Sequence, residues 1–146
     1  MAHPDIDRLL NVLISLAKQM LDQAGEFHPF SCALDTRGQP VSMPPYAGEG
    51  QTTPEEVIEQ LLQVLRSLAS AGEIAAAGVC LDAWVVLPDT DVRTDAIEVR
   101  LEHATGQAVR VFLPYIKGYK EKPKYSEIFA TPWEPCVFEG STVDDA

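Results

Sequence analysis

Apolar residues recur along the first segment at Ile6, Leu9, Leu10, Leu13, Leu16, Ala17, Met20, Leu21 and Ala24. That helical spacing predicts an amphipathic helix over Pro4–Ala24. Pro4 suits its first turn, Asp5 and Asp7 complement the positive end of the helix dipole, and Gly25 supplies the stop. The pattern then changes to alternation. Phe30, Cys32 and Leu34 share one face of a strand running from Phe27 to Leu34. The turn Asp35-Thr36-Arg37-Gly38 leads to a second strand over Gln39–Met43. Pro29 and Pro40 remove ladder donors, which places this hairpin at a sheet edge. The stretch from Pro44 to Thr52, rich in Gly, Pro and Thr, reads as a loop.

A second helix is announced by Thr53-Pro54-Glu55-Glu56. Thr53 can accept the N–H of Glu56 while the Glu56 carboxylate reaches back, a capping box with proline at the first helical position. Val57, Ile58, Leu61, Leu62, Leu65, Leu68 and Ala69 form its buried stripe, and Gly72 ends it. Three strands follow, over Ala76–Leu87, Thr94–His103 and Ala108–Tyr115, with a further one over Tyr125–Ala130. Ile97, Val99, Leu101 and His103 share one face, and Val109, Val111, Leu113 and Tyr115 share another. Bringing these faces together calls for an odd-numbered loop, most simply Thr105-Gly106-Gln107. That register sets Glu102 opposite Arg110 on the outer face. The order α-β-β-α-β-β-β(-β) predicts one α+β domain over residues 1–146, with two helices packed on one face of a mainly antiparallel sheet.

Composition narrows the class of partner. The 146 residues carry a net charge of -11, 46% hydrophobic residues and 23% charged residues. Those are ordinary globular proportions, and the acidity repels nucleic acid and anionic membrane surfaces. Ile74 to Leu81, the longest apolar stretch, is far short of a membrane span. The N-terminus lacks the features of a secretory signal. Cys32, Cys80 and Cys136 are an odd set without a Cys-x-x-Cys pair, which fits reduced thiols in a cytoplasmic protein rather than a disulfide or zinc framework.

Several segments, Glu26-Phe27-His28-Pro29-Phe30, Thr53-Pro54-Glu55-Glu56-Val57-Ile58, Thr94-Asp95-Ala96-Ile97 through Leu101-Glu102-His103, and Leu113-Pro114-Tyr115, resemble a family of small uncharacterised bacterial proteins. The resemblance spans most of the chain. It implies a bacterial cytosolic origin and brings no activity, cofactor or catalytic residue.

Candidate chemistry is sparse. His28 and His103 with Cys32 or Cys80 offer thiol and imidazole groups, yet both thiols fall in apolar strand patterns where cysteine behaves as a small hydrophobe. Asp89, Asp91 and Asp95 suggest a calcium loop, but Thr94 and Arg100 stand where an EF-hand needs glycine and glutamate. Gly48-Glu49-Gly50 lacks the spacing of a phosphate loop. Glu55, Glu56 and Glu59 sit in the first turns of a helix, where carboxylates favour the dipole. Lys117, Lys120, Lys122 and Lys124, interleaved with Tyr119 and Tyr125, read as a solvated loop rather than a nucleic-acid platform. No catalytic residue, metal ligand set or cofactor is assigned.

What remains is aromatic. Six of the eleven aromatic residues lie from Tyr115 onward. Tyr115, Tyr119, Tyr125 and Trp133 are the candidate ligand or interface residues, because Tyr and Trp concentrate at contact surfaces. Trp133 lies between Pro132 and Pro135, so its segment must pack by side chains rather than by a regular ladder. The leading expectation is a non-enzymatic interaction protein docking a protein partner or a second copy of itself. The alternatives are a small-molecule-binding domain, with its pocket between the sheet and the C-terminal aromatic segment, and an enzyme built on an unrecognised site around His28 or His103.

Overall fold

The computed structural model describes residues 3–41, 53–87, 91–118 and 121–138. Helix α1 (Pro4–Ala24) begins with His3 as its cap, the imidazole Nδ1 accepting the N–H of Asp5 at 3.1 Å. It ends at Gly25, whose φ of 76° lets its N–H reach the Leu21 carbonyl at 2.9 Å. Helix α2 (Pro54–Ser70) carries the expected capping box: Thr53 Oγ1 accepts the Glu56 N–H at 3.2 Å and Glu56 Oε1 accepts the Thr53 N–H at 3.1 Å.

Among the described residues, seven strands form one antiparallel sheet: β1 (Phe30–Leu34), β2 (Pro40–Val41), β3 (Ala76–Val86), β4 (Arg93–His103), β5 (Ala108–Gly118), β6 (Glu121–Tyr125) and β7 (Phe129–Pro132). The order across the sheet is β2-β1-β3-β4-β5-β6, with β7 also paired to β5. The protein is therefore α+β, with its elements in the order that the sequence predicts.

The placement of the helices differs from expectation. They cover opposite faces of the sheet, not one. Leu9, Leu13 and Leu21 of α1 pack with Leu34, Cys80, Ile97, Val99, Leu101 and Val111, while Val57, Leu61 and Leu65 of α2 pack with Ala33, Ala77 and Val79. The reason lies in β3, where Ala76, Gly78 and Cys80 alternate with Ala77 and Val79. Every residue from Ala76 to Cys80 is buried, so this strand needs a cover on each side. Truncating a fully enclosed leucine such as Leu13 or Leu65 to alanine costs about 2–5 kcal/mol.

The β4–β5 register also differs. Glu102 stands opposite Ala108, and Arg110 stands opposite Arg100 rather than Glu102. The loop holds Ala104, Thr105 and Gly106, closed by His103 N–H to Gln107 O at 2.9 Å and Gly106 N–H to His103 O at 2.9 Å. Its length is the odd one expected, but it begins one residue earlier because Gly106, φ 102°, takes the left-handed position that closes such turns. The apolar faces still meet, Ile97 on Leu113 and Val99 on Val111.

Strand β1 begins at Phe30 rather than Phe27, and Ser42 and Met43, expected to finish β2, lie outside the described residues. The single strand expected over Tyr125–Ala130 is two strands separated by a bulge. Tyr115 pairs with Tyr125 and Phe112 with Phe129, so Ser126, Glu127 and Ile128 oppose only Leu113 and Pro114. Ser126 N–H donates to Pro114 O at 2.8 Å. A residue's N–H and C=O point to the same neighbouring strand, so the donor that Pro114 lacks falls on the bulged side and leaves the β4 ladder whole. Lys117, Lys122 and Lys124 lie on the β5–β6 strands rather than in a loop; Tyr119 and Lys120 lie outside the described residues.

Candidate functional site

The sheet face that the notional outer residues of β4 and β5 occupy is covered by the C-terminal segment. Glu102 is 3% exposed there. Its Oε1 accepts the N–H groups of Val137 and Phe138 at 2.8 and 3.1 Å, and its Oε2 accepts the Cys136 N–H at 2.9 Å and the Cys136 S–H at 3.2 Å. Successive backbone donors curled around one carboxylate make an anion nest. Arg66 of α2 adds Nε–H to Cys136 O at 2.8 Å. Val137 and Phe138 then complete the α2-side core.

Trp133 rides on the same face. The guanidinium carbons of Arg100 and Arg110 lie 4.8 and 5.4 Å from its ring centre. Arg100 is neutralised by Glu98 at 2.8 Å. The indole Nε1 is enclosed and has no hydrogen-bond acceptor. An open groove of about 640 Å³ is lined by Arg110, Pro132, Trp133, Glu134, Pro135 and Cys136.

The other aromatic candidates sit elsewhere. Tyr115 is buried on the α1 face and its hydroxyl donates to Asp82 at 2.7 Å. Burial pushes the Asp82 carboxyl above the usual range, against the lowering effect of that bond. The Tyr125 ring lies 6.1 Å from that of Tyr115, with the Lys18 ammonium 4.6 Å from its centre. Tyr115 and Tyr125 thus come together, whereas Trp133 lies across the sheet from them and Tyr119 lies outside the described residues.

A second open groove, about 550 Å³, lies at the far end of β3, β4 and β5, lined among others by Trp84, Arg93, Asp95, Tyr115, Ile116 and Lys117. Trp84 is 54% exposed, Val86 52%, Val92 57% and Ile116 63%. The Arg93 guanidinium stacks 3.9 Å from the Trp84 ring centre. Sequence reading missed this cluster because a strand's alternation says which residues share a face, not where the covering helix stops.

His103 meets neither Cys32 nor Cys80. Its partners are His3, stacked with ring centres 3.8 Å apart, and Asp5, whose Oδ2 lies 3.4 Å from His103 Nε2. His3, Asp5 and His103 are the one group among the described residues with ligand atoms close enough to share a cation. Both Nδ1 atoms, however, already accept backbone N–H bonds, His3 from Asp5 and His103 from Thr105, each at 3.1 Å. His3 N–H also reaches Gln107 Oε1 at 2.7 Å. The cluster works as a clasp between the start of α1 and the β4–β5 turn. Its histidine at position 3 escaped sequence analysis because the pairing spans about one hundred residues. His28 is exposed.

All three thiols are held in the protonated form. Burial raises Cys32 and Cys80, and burial together with the Glu102 contact pushes Cys136 up to about 12. Of the suggested calcium residues, Asp91 and Asp95 are exposed and Asp89 lies outside the described residues. No helix among the described residues is long and apolar enough to cross a membrane.

Comparison with known proteins adds no relative: no family model, curated protein or solved structure matches this chain. The resemblance to small bacterial proteins therefore has no counterpart among them.

Proposed function

We propose that this is a non-enzymatic interaction protein that pairs with a second copy of itself through the free end of β3, β4 and β5. The observation that carries the reading is the group of exposed apolar side chains at this end of the sheet, Trp84, Val86, Val92 and Ile116, of which Trp84, Val92 and Ile116 line one groove. The choice of a second copy rests on charge. The same surface carries Arg93 and Lys117 beside Asp91 and Asp95, all exposed, and a patch with both signs is complementary to itself under a two-fold rotation. The protonated thiols and the engaged imidazoles of His3 and His103 favour a binding role over catalysis. Sedimentation equilibrium of the full chain tests the reading. A dimer that Trp84→Glu or Ile116→Glu converts to a monomer with an unchanged melting temperature supports it. A monomeric parent protein, or variants that dimerise as the parent does, overturns it.

A second reading, small-molecule binding, is favoured by the groove between the sheet and the C-terminal segment, where Trp133 is half-buried beside Arg110.

A further inference from the structure

Arg110 is a cation placed where the fold alone gives it little reason to be. It stands directly across from Arg100 on the neighbouring strand, an arrangement of like charges that weakens a sheet. Glu98 neutralises Arg100, but no ion pair reaches Arg110 among the described residues. The side chain is nonetheless fixed. Its Nε–H donates to Thr131 Oγ1 at 3.1 Å, and its guanidinium carbon lies 5.2 Å from the Phe112 ring centre and 5.4 Å from that of Trp133. Phe112 is itself stacked on Phe129 at 5.4 Å, so the aromatic wall is braced. Beside Arg110 opens the groove of about 640 Å³, walled by Trp133, Pro132 and Pro135.

We infer that this groove is a binding site for a small aryl monocarboxylate, with Arg110 as its anion-recognising residue. This inference gives a chemistry to the small-molecule reading and is independent of self-association through Trp84. A guanidinium whose Nε is engaged still presents its Nη donors as a planar fork, the geometry that matches a carboxylate at two points. Trp133, Pro132 and Pro135 offer flat apolar surface for the body of the ligand. Two features select a single negative charge over a phosphate. Glu134 lines the same groove, and the whole chain carries a net charge of -11, so each added negative charge on the ligand is opposed. The bound carboxylate supplies the counter-charge that Arg110, opposite Arg100, lacks among the described residues.

The experiment is a titration of the ¹⁵N-labelled full chain with sodium benzoate, followed through the Arg110 Nε–H and Trp133 indole N–H resonances. Benzyl alcohol and inorganic phosphate are titrated in parallel at matched ionic strength. Expected is a saturable shift of both resonances with benzoate at up to about 10 mM. The other two probes should bind at least about tenfold more weakly. Arg110→Gln should lose benzoate binding and Arg110→Lys should weaken it, each with native dispersion of the remaining resonances. If Arg110→Gln fails to fold, Glu134→Gln gives a second reading and should tighten benzoate. The inference is overturned by the absence of saturation with benzoate, by equal binding of benzyl alcohol, by tighter binding of phosphate, or by shifts confined to the Trp84 end of the sheet. A protein that dimerises through Trp84 yet ignores benzoate defeats this inference and leaves the self-association reading standing. The opposite result separates them the other way.

Discussion

Glu102 Oε1 accepts the backbone N–H of Val137 at 2.8 Å, tying β4 to a residue 35 positions further along the chain. Cys136 and Phe138 donate to the same carboxylate, so one side chain organises the whole turn of the C-terminal segment. A buried carboxylate is costly unless its oxygens are satisfied, and here the backbone satisfies them. Glu102 is thus the residue that lets an irregular, proline-flanked segment dock without a ladder.

Glu102→Ala should therefore be severe. It leaves the donors of Cys136, Val137 and Phe138 without their acceptor, at a cost of about 3 kcal/mol or more. Urea denaturation should show that loss, and limited proteolysis should cut the C-terminal segment first. Glu102→Gln keeps one carbonyl oxygen and should fall between the parent and the alanine variant. Unchanged stability for Glu102→Ala would mean that the segment docks by Val137 and Phe138 alone.

Thr53→Ala removes the oxygen that accepts the Glu56 N–H and should cost about 1 kcal/mol, with no effect on association or ligand binding. The denaturation midpoint is the measurement, and a midpoint equal to that of the parent would show that water replaces the cap.

Gly78 lets α1 pack close against β3. A Cβ added there would lie 2.5 Å from Leu13 Cδ1 and 3.1 Å from Leu101 Cδ2. Gly78→Ala should cost about 1–3 kcal/mol through overpacking. Leu13→Val in the same chain makes room, so the double variant should lose less than the sum of the two single losses. Strict additivity in that cycle would place the strain elsewhere.

His103 gives the stability a pH dependence. Burial, then the neighbouring His3, lower its pKa below the ordinary 6.5, although Asp5 acts in the opposite direction. The folded protein therefore favours the neutral ring more than the unfolded chain does. This contribution is complete above 6.5 and is lost as pH falls below it toward the folded value. Protonation at Nδ1 also removes the acceptor for the Thr105 N–H. Denaturation at a series of pH values should show stability declining through this window, with a shallower decline in His103→Asn. A variant that declines as steeply as the parent would assign the effect to other groups.

Much of the fold could be read from local rules. The limits of α1, the capping box of α2 and the strands β3 and β4 follow from periodicity and from cap and turn residues, all of which act within a few positions. The pairing of Ile97, Val99, Val111 and Leu113 was legible too, because alternation fixes parity. Parity does not fix register, and so Arg110 came to face Arg100. Only tertiary structure decided which side of the sheet each helix covers, since β3 is apolar on both faces and its sequence favours neither. It also decided that Glu102 is buried in a backbone nest, that His3 meets His103, and that Trp133 lies beside Arg110, a cation with no carboxylate partner among the described residues. Each of these depends on segments far apart in the chain, and no residue spacing encodes the approach of two surfaces whose separation is set by the packing between them.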